Sequence, residues 1–190
     1  MLVILSPRPG QFWQPGDIIF TARPGEYLTY SISAHTDPKA LEAKRLVATH
    51  SGVIIDNATV MESRPEGFIK RPLSVHLNDP AELCWVKRPS GQTPASVALG
   101  VDKARSLEGV PYDWGLMAGY ALTNPEDRKT TKPSIFEDDD RMICSEAVAT
   151  VLMAAAPALA DPNVGAVLAT RHPSWWSPQA LNMALALWES

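Results

Sequence analysis

The chain is poor in the residues from which metal sites and disulfide frameworks are built, with two cysteines, Cys84 and Cys144, and four histidines among 190 residues. No Cys-x-x-Cys or His-x-x-x-His pair occurs, and His35, His50, His76 and His172 stand singly, so no metal site is expected. Two cysteines make no disulfide framework, and both thiols are expected to be free. An excess of basic residues is also lacking. A net charge of −4 and no run of Lys and Arg interleaved with aromatics argue against nucleic acid as a partner. Long apolar runs are missing as well. The opening "MLVIL" has no basic residues before it and is broken by Pro7 and Pro9, so no secretion signal is visible and a cytoplasmic location is expected. Residues 147–160 are the longest nearly uncharged helical run, well short of the roughly 20 apolar residues that span a bilayer, so no integral membrane association is expected. No repeat or low-complexity tract is apparent.

What is present is an ordinary globular balance, 45% hydrophobic and 20% charged, which suits a single domain over residues 1–190. "QPGDIIFTA" (14–22) follows a Pro-Gly turn signal with a β-branched and aromatic run, a buried strand. "DPKALEAKRLVA" (37–48) has an N-cap aspartate and a proline at the first helical position, which predicts a short helix. "THSGVIIDNATVMESRP" (49–65) is two β-branched runs around "DNA", a hairpin. "GFIKRPLSVHL" (67–77) and "AELCWVKRP" (81–89) continue as short strands, favouring a meandering antiparallel sheet. From Thr93 the period becomes helical as far as Gly109, and helix-like segments follow at "PYDWGLMAGYALTN" (111–124), "CSEAVATVLMAAA" (144–156) and "SPQALNMALALW" (177–188). Residues 125–140 are polar and loop-like. Strands early and helices late give an α+β order.

Cys144 stands where a polar segment becomes an apolar helix. Unpaired N–H groups and the helix dipole at such a start favour a thiolate, the form in which a thiol attacks. A backbone N–H beside it is a ready oxyanion donor, and Ser145-Glu146 suits a first helical turn. The plain alternative is a buried core thiol, which is the better reading of Cys84 in "ELCWV". A nucleophilic thiol needs a base held by a third polar group. His50 is the best placed of the four, opening a strand at "THSGVII" where Ser51 and Gly52 leave room beside the ring. The third group depends on the hairpin. A three-residue loop of Asp56, Asn57 and Ala58 puts Arg64 opposite His50 and Glu62 on its face, whereas a two-residue loop offers Ser63 instead. In "GVPYDWG" (109–115), Tyr112 is a candidate hydrogen-bond donor and Asp113 a candidate receptor for a substrate amine, or simply a helix cap. Ser51 and Ser145 are further candidates for substrate contact.

Taken in order, "PGDIIF", "THSGVII", "VMES", "GVPYDWG" and "MICSEAV" resemble the circularly permuted branch of the NlpC/P-sixty cysteine peptidases. This YiiX/YaeF-like group has a papain-like fold and is related to lecithin retinol acyltransferase. The resemblance covers about residues 14–180. It implies an antiparallel sheet packed against helices, with Cys144 as nucleophile, His50 as general base, Glu62 in the variable third position and Tyr112 lining the site. It also implies hydrolysis of amide bonds, by default those of peptidoglycan-type peptides, without a cofactor, on a small peptide or acyl-amide substrate. Acyl transfer, as in the lipid-acting relatives, or a non-catalytic binding module with the same pocket are the rival readings. A phage or mobile-element origin suits an unsecreted enzyme of this kind, and the sequence leaves the oligomeric state open.

Overall fold

Strand β1 (Ile18–Ala22), reading IIFTA, is buried at every position, as a central strand with both faces covered must be. In this computed structural model, which describes residues 13–26, 32–34, 37, 47–122, 130 and 132–186, β1 is flanked on both sides. The sheet order is β4-β3-β2-β1-β5, with β2 (His50–Ile54), β3 (Thr59–Arg64), β4 (Gly67–Pro72) and β5 (Leu83–Lys87). All neighbouring strands run antiparallel. The first four strands form the expected meander. β5 departs from it, crossing back to pair with β1 so that Ile18 faces Lys87. That pairing occupies backbone groups which a buried β1 edge would otherwise leave unsatisfied. The helix expected over 37–48 lies outside the described residues, apart from its ends.

The β2–β3 hairpin has the three-residue loop. Gly52 faces Glu62, Val53 faces Met61 and Ile54 faces Val60, and the Ile55 N–H bonds Thr59 O at 3.0 Å. Continuing that register puts Arg64 opposite His50. One expected strand does not run its length. Pro72 has no N–H to extend the ladder, and after it the chain turns into the short helix α1 (Ser74–Leu77).

Strand alternation separates two apolar layers. Ile18, Phe20, Val53 and Met61 look toward the helices, while Ile19, Ile54, Val60 and Cys84 form a smaller cluster on the far face with Leu73. The helical layer consists of α2 (Pro94–Ser106), α3 (Trp114–Leu122), α4 (Cys144–Ala155), α5 (Pro162–Leu168) and α6 (Pro178–Ala186). Side chains start two of them as their sequences foretell. Thr93 and Ser96 exchange bonds at the head of α2, at 3.1 and 2.8 Å, and the Ser177 hydroxyl accepts the Ala180 N–H at 3.1 Å in α6. α4 is buried nearly all round and packs on β2, β3, α2 and α6. Its alanines let these neighbours approach closely, and its first residue is Cys144. The result is an α+β papain-like arrangement, a helix led by a cysteine lying on an antiparallel sheet. Among the described residues no helix is long and apolar enough to cross a membrane.

Candidate active site

His50 opens β2 and, by the strand period, shares a face with Gly52 and Ile54. Glu62 lies on the same face of β3, one diagonal step away. Its Oε2 is 2.5 Å from His50 Nε2, and its side chain is 0% exposed. The room for this contact comes from Gly52, where a Cβ would stand 3.2 Å from Glu62 Cβ, 3.0 Å from Met61 O and 2.7 Å from a Val60 methyl. Ser63 points the other way and gives its hydroxyl to Met142 O at 2.8 Å, tying β3 to the residues that lead into α4. Of the two candidates for a third polar group, Glu62 is therefore the one beside His50.

Cys144 meets the imidazole at the start of β2. Thiol and ring share a hydrogen bond, and the Ser51 N–H donates to the sulfur. With Nε2 taken by Glu62, Nδ1 is the ring nitrogen left for the thiol. Burial by itself would push the Cys144 thiol up, but the His50 charge and hydrogen bond, the Ser51 N–H and the Arg64 charge outweigh it and hold the pKa below the ordinary value. Burial likewise works against the His50 imidazolium, and the Cys144 and Glu62 charges overcome it to give about 9. Glu62 is driven well below the usual carboxylate range in spite of its burial, by His50, His76 and Arg64. The three groups thus favour one charge state, thiolate, imidazolium and carboxylate in a row. Cys84 is the contrast. Burial and the neighbouring Glu82 charge push its thiol up to about 11, as suits a core residue.

The other candidates divide. Tyr112 is half-buried, its backbone bridges to Met142 two residues before Cys144, and its phenol is held neutral by burial and by the Cys144 charge. Its ring lies 4.7 Å from that of Trp114, which is 59% exposed and forms an apolar ledge next to the site. Asp113 has both carboxylate oxygens engaged by backbone N–H groups. It is buried and caps α3, accepting the Leu116 N–H at 2.7 Å on one oxygen and the Asp138 N–H at 3.1 Å on the other. Ser51 and Ser145 are fully enclosed, with hydroxyls that find no hydrogen-bond partner among the described residues. Ser51 serves the sulfur through its backbone and not through its side chain. Glu146, in the first turn of α4, has its pKa raised to about 8 by burial and by the Glu137 and Asp113 carboxylates, so it stays protonated near neutrality.

With this geometry in view, comparison with known proteins is informative at one level. No family model matches the chain, and no curated protein does. The fold is shared with a solved bacterial structure. It is the crystal structure of metalloprotein yiiX from Escherichia coli O157:H7, DUF1105, with a TM-score of 0.53 over 88% of this chain and 94% of that one. At 18% identity the likeness is one of fold. The word metalloprotein describes that protein. Among the described residues of this chain, no three His, Cys, Asp or Glu side chains converge as a ligand set, and the Glu62 carboxylate is already ringed by cations, which disfavours a further one.

Sequence reasoning placed Arg64 opposite His50 but did not foresee that these cations meet on Glu62. Arg64 Nη2 and Arg71 Nη1 each donate to Glu62 at 3.0 Å, and His76 Nε2 stands 3.2 Å from Glu62 Oε2. The last contact is off-line for a hydrogen bond and acts as an ion pair. A signal existed for the arginines, since the strand period puts Arg64 on the face of Glu62. For His76 there was none, because its position depends on the turn into α1.

Proposed function

We propose that this protein is a cysteine-dependent amide hydrolase of the permuted NlpC/P-sixty type. One observation carries the reading. A single imidazole is held between a buried carboxylate at 2.5 Å and a thiol at the first residue of a helix, the geometry that nucleophilic thiol catalysis requires. In this mechanism the Cys144 thiolate attacks the carbonyl carbon of an amide. The oxyanion that forms is met by the backbone N–H of Cys144 at the helix start, where first-turn donors lack intrahelical partners. The His50 imidazolium gives its Nδ1 proton to the departing amine as the C–N bond breaks, leaving a thioester on Cys144. Neutral His50 then takes a proton from water, whose oxygen attacks the thioester, and the C–S bond breaks to release the acid and the Cys144 thiolate beside an imidazolium that keeps the proton. Glu62 keeps the ring oriented and offsets its charge throughout. The default substrate class is a peptidoglycan-type peptide.

Acyl transfer is the second reading, favoured by the exposed Trp114 ledge against Tyr112, which offers an apolar seat for an acyl chain or acceptor. Mass spectrometry of the protein incubated with peptide amides and acyl esters tests both. A substrate-derived thioester on Cys144, absent from Cys144→Ser, is expected. Free acid as product with an amine or alcohol acceptor present means hydrolysis, acylated acceptor means transfer, and no adduct with any substrate of either class would count against both.

A further inference from the structure

Behind the Cys144–His50–Glu62 row lies a second charged pair that the mechanism above does not use. His76 is turned inward by α1, and its side chain is 1% exposed. Nδ1 lies 2.6 Å from Glu82 Oε2 and Nε2 lies 3.2 Å from Glu62 Oε2. A carboxylate oxygen offers only lone pairs, so both contacts are favourable together only when each ring nitrogen carries a proton. The geometry therefore favours an imidazolium, and the ring centroid is 6.4 Å from that of His50. One carboxylate, Glu62, stands between two histidines.

We propose that His76 is a positioning residue for the thiol site, a buried cation pinned by Glu82 that fixes Glu62 and favours the Cys144 thiolate. The inference rests on the cysteine-hydrolase reading and extends it by one layer. Charges then alternate from Glu82 through His76, Glu62 and His50 to Cys144. The groups facing this chain support the assignment. Arg23 Nε lies 3.5 Å from Glu82 while its Nη2 pairs with Asp79, anchoring Glu82 from the surface. Arg64 and Arg71 hold Glu62 from β3 and β4. Cys84, at 4.0 Å from the His76 carbonyl oxygen, adds no charge. A histidine kept only for packing would not need carboxylates at both nitrogens in a buried place, since a buried ion costs stability unless it is fully paired.

The test combines two readouts on Glu82→Gln, His76→Gln and the double variant. The double variant keeps amide hydrogen bonds along the chain while removing both charges, so it remains informative if His76→Gln alone, with Glu82 left unpaired, does not fold. Imidazole nitrogen NMR reads the His76 charge directly. Two protonated nitrogens are expected in the parent at a neutral pH where a free imidazole has lost one of its protons, and loss of one at that pH in Glu82→Gln. Alkylation of Cys144 by iodoacetamide across pH reads the effect on the thiol. Removing the cation is expected to raise the thiol pKa by about one unit, roughly tenfold less thiolate at low pH, in His76→Gln and the double variant. A depressed thiol pKa in the parent that stays unchanged in the folded variants, or a neutral His76 ring in the parent, overturns the positioning role alone. An ordinary thiol pKa in the parent overturns the hydrolase reading, and this proposal with it.

Discussion

Glu62 is the residue on which most of the site's charges meet. It is fully buried, and it pairs with His50, Arg64, Arg71 and His76. Deleting this buried anion leaves the buried His50 and His76 without their shared counter-charge, a loss of about 3–5 kcal/mol for one broken pair. Glu62→Gln should therefore lower the unfolding free energy by that order, read from the denaturant midpoint, even though glutamine fits the same space. A midpoint within error of the parent would mean that the two arginines neutralise little and that solvent reaches the cluster. Much at this scale was legible. The strand period paired with a three-residue loop puts Glu62 on the face of His50, and the structure has both. Asp113 was only half legible. Its place before a helix fits a cap as well as a ligand, and only the fold of the 134–140 segment, which donates the Asp138 N–H to it, decides for the cap.

At the scale of elements, the site is the meeting of one hairpin and one helix start. Gly52 is what lets the hairpin carry a carboxylate opposite a histidine strand. A Cβ there would come within 2.7 Å of a Val60 methyl and 3.0 Å of Met61 O, closer than packed atoms allow. Gly52→Ala should cost about 1–3 kcal/mol, the usual range for overpacking, and slow Cys144 alkylation by moving Glu62 from His50. Thermal melting and alkylation rate check it together, and an unchanged value of both would show that β2 shifts without strain. The start of α4 at Cys144 and that of α6 at Pro178 follow from local sequence. The inward turn of His76 does not, because a four-residue helix is set by Pro72 ending the ladder and by Glu62 and Glu82 waiting on either side. The β1–β5 pairing joins segments some 65 residues apart, and no local pattern in either strand encodes it.

For the whole molecule, the buried Glu146 makes stability depend on pH. Its folded pKa of about 8 lies above the ordinary value of 4.5, so the folded state holds a proton that the unfolded state releases. The stabilisation is fully present below about 4.5 and is lost as pH rises through 8. Comparing the parent with Glu146→Gln cancels the other titrating groups. Relative to the variant, the parent should lose roughly 2–4 kcal/mol between pH 5 and pH 9, seen as diverging melting temperatures. Parallel curves would mean that Glu146 ionises freely and that the first turn of α4 carries a charge close to the thiolate.

The central claim is an ion pair between Cys144 and His50, and the rate of Cys144 alkylation by iodoacetamide against pH tests it most directly, followed by peptide mapping to separate it from Cys84. The parent should show a thiol pKa well below the free value of about 8.5, and His50→Ala should return it to that value or above. A parent thiol that titrates like a free cysteine and is indifferent to His50 would contradict the account and leave Cys144 as a residue of the core.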